Sequence, residues 1–181
     1  MNEQVVDPAV SRAKFERELH AFQQLKAMHR RRGWWVRSAE FPVVEVAFLT
    51  PACRPAAIAA CVRIDFTNYD LWPPSVVFVD PFSGAALTID QITTPFARMT
   101  PSGPQRLVQG HPGQPAFLCL PGVREYHNHP GHSGDDWLLH RGAGEGGLQF
   151  LVDKISTYGS ESVTTWGVQM QVILQQQQLP A

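Results

Sequence analysis

Cys119 stands in an apolar stretch, Phe117-Leu118-Cys119-Leu120, and the following segment, Pro121 to Asp136, holds Tyr126, His127, Asn128, His129, His132, Asp135 and Asp136. A thiolate is both a good nucleophile and a good leaving group, which suits relay of an acyl group through a thioester; such a thiol belongs on a fixed, partly exposed segment. The neighbouring residues have rival readings. His127-x-His129-x-x-His132, with Cys119 and His140 near in sequence, offers the nitrogen and sulfur ligands that zinc takes, as a zinc-dependent hydrolase or metal-binding protein would use. No Cys-x-x-Cys pair or His-Glu-x-x-His helix accompanies it, and Gly131 and Gly134 loosen the segment. The bland alternatives are a buried structural thiol and a solvated loop. Cys53, in a Pro-flanked turn, and Cys61, in a strand pattern, read as structural.

The elements that must hold this segment can be read from the hydrophobic pattern. Asp7-Pro8 opens a helix, since Asp caps free N–H groups and Pro fits the first turn. Phe15, Leu19, Phe22, Leu25 and Met28 then recur at helical spacing, and Gly33 after His29-Arg30-Arg31-Arg32 closes the helix. Four short β-rich runs follow: Trp34 to Val36, Val43 to Leu49, Ala57 to Phe66 and Val76 to Val79. Without helices between them they predict an antiparallel meander. Asp80 to Gly147 is dominated by Pro and Gly and reads as one long irregular segment. Gly147 to Tyr158 predicts a second helix with Leu148, Leu151, Val152 and Ile155 on one face, Val163 to Leu174 is apolar enough to pack, and Gln175 to Gln178 reads as a frayed end. The expectation is a single α+β domain spanning residues 1–181.

Bulk properties narrow the function classes. A chain of 181 residues with 44% apolar residues can bury one core. Lys plus Arg is 15 against 16 Asp plus Glu, for a net charge of −1, which lacks the basic footprint of a nucleic-acid binder. No apolar run is long enough to span a bilayer, and Met1 to Val10 has no signal-peptide core. Three widely spaced cysteines do not form a disulfide framework. The expectation is a cytoplasmic protein with no nucleic-acid or membrane partner.

Two segments in order resemble the ubiquitin-conjugating enzyme family. Ile64-Asp65-Phe66-Thr67-Asn68-Tyr69-Asp70-Leu71-Trp72-Pro73-Pro74-Ser75-Val76-Val77-Phe78 is similar to the family's strand, Tyr-Pro-x-x-Pro-Pro turn and strand, with Asp70 at the first Pro position. Phe117-Leu118-Cys119-Leu120 is similar to its hydrophobic-Cys-Leu stretch, and Trp137 and the helix from Gly147 follow in the family's order. The family's His-Pro-Asn is matched only by His111-Pro112-Gly113, an absence of Asn that bacterial branches of the family share, and Pro121 replaces its acidic residue. The resemblance implies a ubiquitin-conjugating-like fold: an N-terminal helix, a four-stranded antiparallel meander, an active-site loop and a C-terminal helix. It implies a conjugating acyltransferase that takes a ubiquitin-like modifier from an adenylating activating enzyme as a thioester on Cys119 and passes it to a lysine of a protein target, with no cofactor. By analogy with operons that contain such enzymes, it also implies a part in bacterial antiviral defence. The loop then supplies the groups the family's Asn would give. Asn128 or a histidine donates to the oxyanion, and His127 or His129 takes a proton from the amine. The basic Arg30 to Arg32 run becomes a plausible contact for the activating enzyme, or simply a solvated helix end. Within the same resemblance, the alternative is an inactive variant that only binds ubiquitin-like proteins.

Overall fold

The computed structural model describes residues 4–167. The chain is a mixed α+β structure built on an antiparallel sheet. Helix α1 (Pro8–Gln23) starts as the sequence predicts: Pro8 takes the first helical position and the Asp7 carboxylate accepts the Ala9 N–H at 2.8 Å. The helix breaks at Gln24-Leu25 and resumes as α2 (Lys26–Arg31). Leu25 stays exposed at the break. His29 is buried in α2, its ring against those of Phe22 (4.0 Å between centroids) and Trp34 (5.0 Å), which also face one another at 6.3 Å. Arg32 fastens this end of the chain to the C-terminal part through Asp153, through Glu161 at 2.5 Å, and by lying over the Trp34 ring at 4.4 Å.

The four expected strands pair in sequence order: β1 (Trp34–Glu40), β2 (Val43–Leu49), β3 (Ile58–Asp65) and β4 (Ser75–Phe78). Register places Val46 opposite Val62 and Val62 opposite Phe78, and Val44 opposite Ile64 and Ile64 opposite Val76. These cross-strand rows are fully buried because period-2 alternation sends them all to one face. Phe15 and Phe22 of α1, and Leu148, Leu151, Val152 and Ile155 of α5 (Leu148–Tyr158), cover that face. The opposite face carries a small cluster of Ala47, Cys61 and Val79.

The segment from residue 80 to 147 is more ordered than its composition predicts. It contains a hairpin, β5 (Ala97–Thr100) with β6 (Gly103–Arg106), and two short strands, β7 (Val108–Gln109) and β8 (Phe117–Leu118). Among the described residues the main sheet therefore has six strands in the order β1-β2-β3-β4-β8-β7, not four. Strands of two residues have no room to show alternation, and Pro104 inside β6 masks the hairpin, so neither leaves a periodic signal. Two single-turn helices, α3 (Arg124–His127) and α4 (Trp137–His140), lie between β8 and α5. Most of the apolar tail expected from Val163, and the run Gln175 to Gln178, lie outside the described residues. Among the described residues, no helix is long and apolar enough to cross a membrane.

Candidate active site

Cys119 sits where the chain leaves the sheet. Strand β8 adds to β4 through Val77 opposite Phe117, and the Cys119 N–H then donates to the Leu107 carbonyl at 2.7 Å. Leu118 and Leu120 turn into the core on either side, so alternation leaves the Cys119 side chain half-exposed between them. Cys53 and Cys61 are buried. Burial pushes the Cys119 thiol above its ordinary range, and the Arg98 charge on β5 opposes that shift. The resting group is therefore a thiol, not a preformed thiolate.

The loop after Cys119 is pinched at its base. Gly122 (φ +87°) and Gly146 (φ +77°) touch back to back: a Cβ on Gly122 would lie 2.4 Å from the Gly146 nitrogen. Arg124 stitches α3 to the Pro73-Pro74 corner, donating to the Pro73 carbonyl at 3.1 Å and the Thr67 carbonyl at 2.7 Å, while its backbone N–H meets the Pro74 carbonyl at 2.9 Å. Trp137 is buried, and its indole N–H reaches the Asp70 carbonyl at 2.9 Å. The rigid Pro-Pro corner and the loop thus hold one another.

The loop brings His132 to the sulfur. Its Nε2 lies 3.3 Å from Cys119 Sγ, at the position to accept the thiol proton. The face of His132 is covered by Tyr126, with ring centroids 3.9 Å apart and planes 24° apart. The Tyr126 hydroxyl donates to Asp135 Oδ2 at 2.6 Å, and burial together with that bond pushes its pKa up to about 12. Asp135 Oδ1 meets His140 Nε2 at 2.5 Å, and His140 Nδ1 meets the Glu145 carboxylate. The His140 pKa is raised, chiefly by Asp135.

The residues singled out in sequence are placed differently. His127 is spent on the loop itself: its Nδ1 donates to the Asp135 carbonyl at 2.8 Å and its Nε2 accepts the Gly122 N–H at 3.1 Å. His129 Nδ1 accepts the Gly131 N–H at 3.1 Å. Asn128 is exposed and lines two clefts, one of about 900 Å³ with Leu71, Trp72, His132 and Leu138 in its wall, the other of about 390 Å³ with Phe117 and His129. The histidine nitrogens thus aim at separate partners, and among the described residues no group of three or more His, Cys, Asp or Glu is arranged to hold a metal ion. His132 lies thirteen residues from Cys119 in a run with several histidines, and nothing in that spacing singles it out.

A family model, Y4jH-like (the Y4jH family), matches residues 6–163. The uncharacterized protein y4jH of Sinorhizobium fredii (strain NBRC 101917 / NGR234) is 41% identical over 189 residues, covering 94% of this chain and 92% of the relative. The chain belongs to the Y4jH-like family. This corrects the likeness drawn from Ile64 to Phe78 and from Phe117 to Leu120, because the Y4jH-like match, not the ubiquitin-conjugating enzyme family, accounts for nearly the whole chain. Asp70, Gly113 and Pro121 are points where this Y4jH-like chain departs from the other family's pattern. Asp70 has local work of its own, pairing with Lys14 and offering its carbonyl to Trp137.

Proposed function

We propose that this Y4jH-like protein is a cysteine-dependent acyltransferase. Cys119 takes the C-terminal carboxyl group of a ubiquitin-like modifier from an adenylating activating enzyme as a thioester, and passes it to a lysine amine. The proposal rests on chemistry, not kinship, and the observation that carries it is the 3.3 Å contact between Cys119 Sγ and His132 Nε2 on a half-exposed segment. A ubiquitin-conjugating-like fold is part of the same proposal, supported by the order of helix, meander, cysteine segment and α5. A macromolecular donor and acceptor are supported by Leu71 and Leu138 standing exposed in the cleft wall, with Leu139 exposed beside them. A reducing cytosol is the compartment in which such a thiol stays free.

The steps follow from the positions of the groups. His132 takes the Cys119 proton as the sulfur attacks the donor thioester; the carbon–sulfur bond to the activating enzyme breaks, and that thiolate leaves with the proton. An amine then attacks the Cys119 thioester and gives a proton to His132, and the released Cys119 sulfur takes it back. In this proposal Asn128 and His129, which line the clefts beside the loop, steer the oxyanion and the amine. His127, with both ring nitrogens engaged, holds the loop.

A short peptide thioester ending in glycine tests the first step without a cognate partner. Intact mass should rise by the peptide's mass, on Cys119 alone, and hydroxylamine should remove it. Cys119→Ser should show no hydroxylamine-labile thioester. With an activating enzyme, modifier and ATP, the same residue should carry a reductant-sensitive protein adduct. Absence of both adducts on a folded protein would overturn the proposal.

A further inference from the structure

Tyr126, Asp135, His140 and Glu145 form a chain of contacts that ends on the base of the Cys119 pair, without touching the sulfur. Asp135 is its hub. Its backbone carbonyl is held by His127 Nδ1 at 2.8 Å, one carboxylate oxygen by the Tyr126 hydroxyl at 2.6 Å, and the other by His140 Nε2 at 2.5 Å. The second nitrogen of His140 meets the Glu145 carboxylate. Both His140 nitrogens face carboxylate oxygens, which accept hydrogen bonds when ionised, so the two contacts favour the protonated ring. Its other charged or titratable surroundings are His127, with ring centroids 5.3 Å apart, and Arg141 next in sequence. Asp135 and Glu145 lie five residues to either side of His140, so the clasp closes this stretch of loop on itself.

The other end of the chain is the Tyr126 ring, stacked on His132 at 3.9 Å. An exposed loop histidine ordinarily rotates about two side-chain bonds, and a base whose ring swings has only a fraction of its conformers within reach of the sulfur. Here the ring of Tyr126 limits His132, the Tyr126 hydroxyl is pinned by Asp135, and Asp135 is pinned by His140. We infer that Tyr126 and His140 are positioning residues for the Cys119–His132 pair, Tyr126 by stacking on His132 and His140 by fixing Asp135, which anchors the Tyr126 hydroxyl. The inference deepens the acyl-transfer proposal and rests on its assignment of His132 as the base.

The test reads the sulfur directly. The rate of Cys119 alkylation by iodoacetamide is followed against pH by peptide mass, with the unfolding midpoint of each variant measured in parallel. His132→Ala should move the midpoint of the rate–pH curve upward, because the thiol loses the ring nitrogen 3.3 Å away that takes its proton. Tyr126→Leu should move it in the same direction and slow alkylation at neutral pH by about tenfold, and His140→Gln should shift it less, by no more than Tyr126→Phe does. Tyr126→Phe keeps the ring and should recover most of the Tyr126→Leu loss. In the Tyr126→Phe background His140→Gln should have no further effect on the curve, since its link to His132 passes through the missing hydroxyl. A His140→Gln effect of equal size in both backgrounds overturns the inference. So do unchanged curves in Tyr126→Leu and His140→Gln while His132→Ala shifts. An unchanged curve in His132→Ala itself would sink the base assignment and the inference with it. Should the two positioning variants lower the unfolding midpoint, the Tyr126→Phe rescue and the background dependence still decide, because a general loss of fold would slow alkylation alike in either background.

Discussion

Gly122 and Gly146 meet at the neck of the cysteine loop, both with positive φ, so close that a methyl group on the first would lie 2.4 Å from the backbone nitrogen of the second. Gly122→Ala must therefore carry both the left-handed backbone cost, about 1–2 kcal/mol, and the cost of prising the neck apart. Gly134 has a similar φ of +95° but nothing within 4 Å of its missing Cβ, so Gly134→Ala should lose only the backbone part. Urea unfolding should rank Gly122→Ala well below Gly134→Ala. Equal losses would mean that the neck yields freely.

That neck also shows why the site was only partly legible in sequence. The four strands of the meander were readable as short β-rich runs without helices between them, whereas the rows Val44–Ile64–Val76 and Val46–Val62–Phe78 depend on register. The face of α5 was readable from its helical period. Cys119 was singled out through the likeness of Phe117 to Leu120 that the family match corrects, since apolar neighbours alone fit a buried structural thiol as well. His132 could not be picked out, because its place depends on where the 23 residues between Gly122 and Gly146 fold back, and on which ring Tyr126 covers. His127 looked as suitable by residue type, yet its two nitrogens serve a glycine N–H and a carbonyl.

That difference separates two variants. His132→Ala removes the group facing the sulfur and should lower transfer from a glycine-ended peptide thioester by about 10²-fold or more, leaving the unfolding midpoint nearly unchanged. His127→Ala removes the acceptor of the Gly122 N–H and the donor to Asp135, so it should lower stability by about 1–3 kcal/mol, with any loss of transfer following the loss of loop order. Single-turnover assays paired with denaturant curves check this. A His127→Ala protein of full stability but no transfer would exchange the two roles.

The three arginines at the end of α2 should behave unequally. Arg32 is held by Asp153, Glu161 and Thr157 and lies over Trp34, whereas Arg30 and Arg31 are exposed. Arg32→Ala should cost about 2 kcal/mol because it strands two partly buried carboxylates, while Arg30→Ala and Arg31→Ala should each stay within about 0.5 kcal/mol. Thermal unfolding of the three single variants reads the difference. A stability loss of similar size at all three would remove the link to α5 as its cause.

Stability should fall on both sides of neutral pH, through different histidines. His29 is buried against Phe22 and Trp34, and burial lowers its pKa below 6.5 although its ring bonds to Gln149 at 3.2 Å. The unfolded chain then takes up a proton near pH 6.5 that the folded protein refuses, so the stability His29 contributes is present above that pH and lost as pH falls towards its folded value. His140 has the opposite sign. Its folded pKa is raised by Asp135, so its contribution is complete below about 6.5 and lost as pH rises through the raised value. Urea midpoints measured from pH 5 to 8.5 should show a smaller acid-side decline in His29→Phe, which keeps an aromatic ring in the stack, and a smaller alkaline-side decline in His140→Gln. If His29→Phe declines as steeply as the parent between pH 7 and 5, the acid sensitivity belongs to the carboxylates and not to the stacked ring.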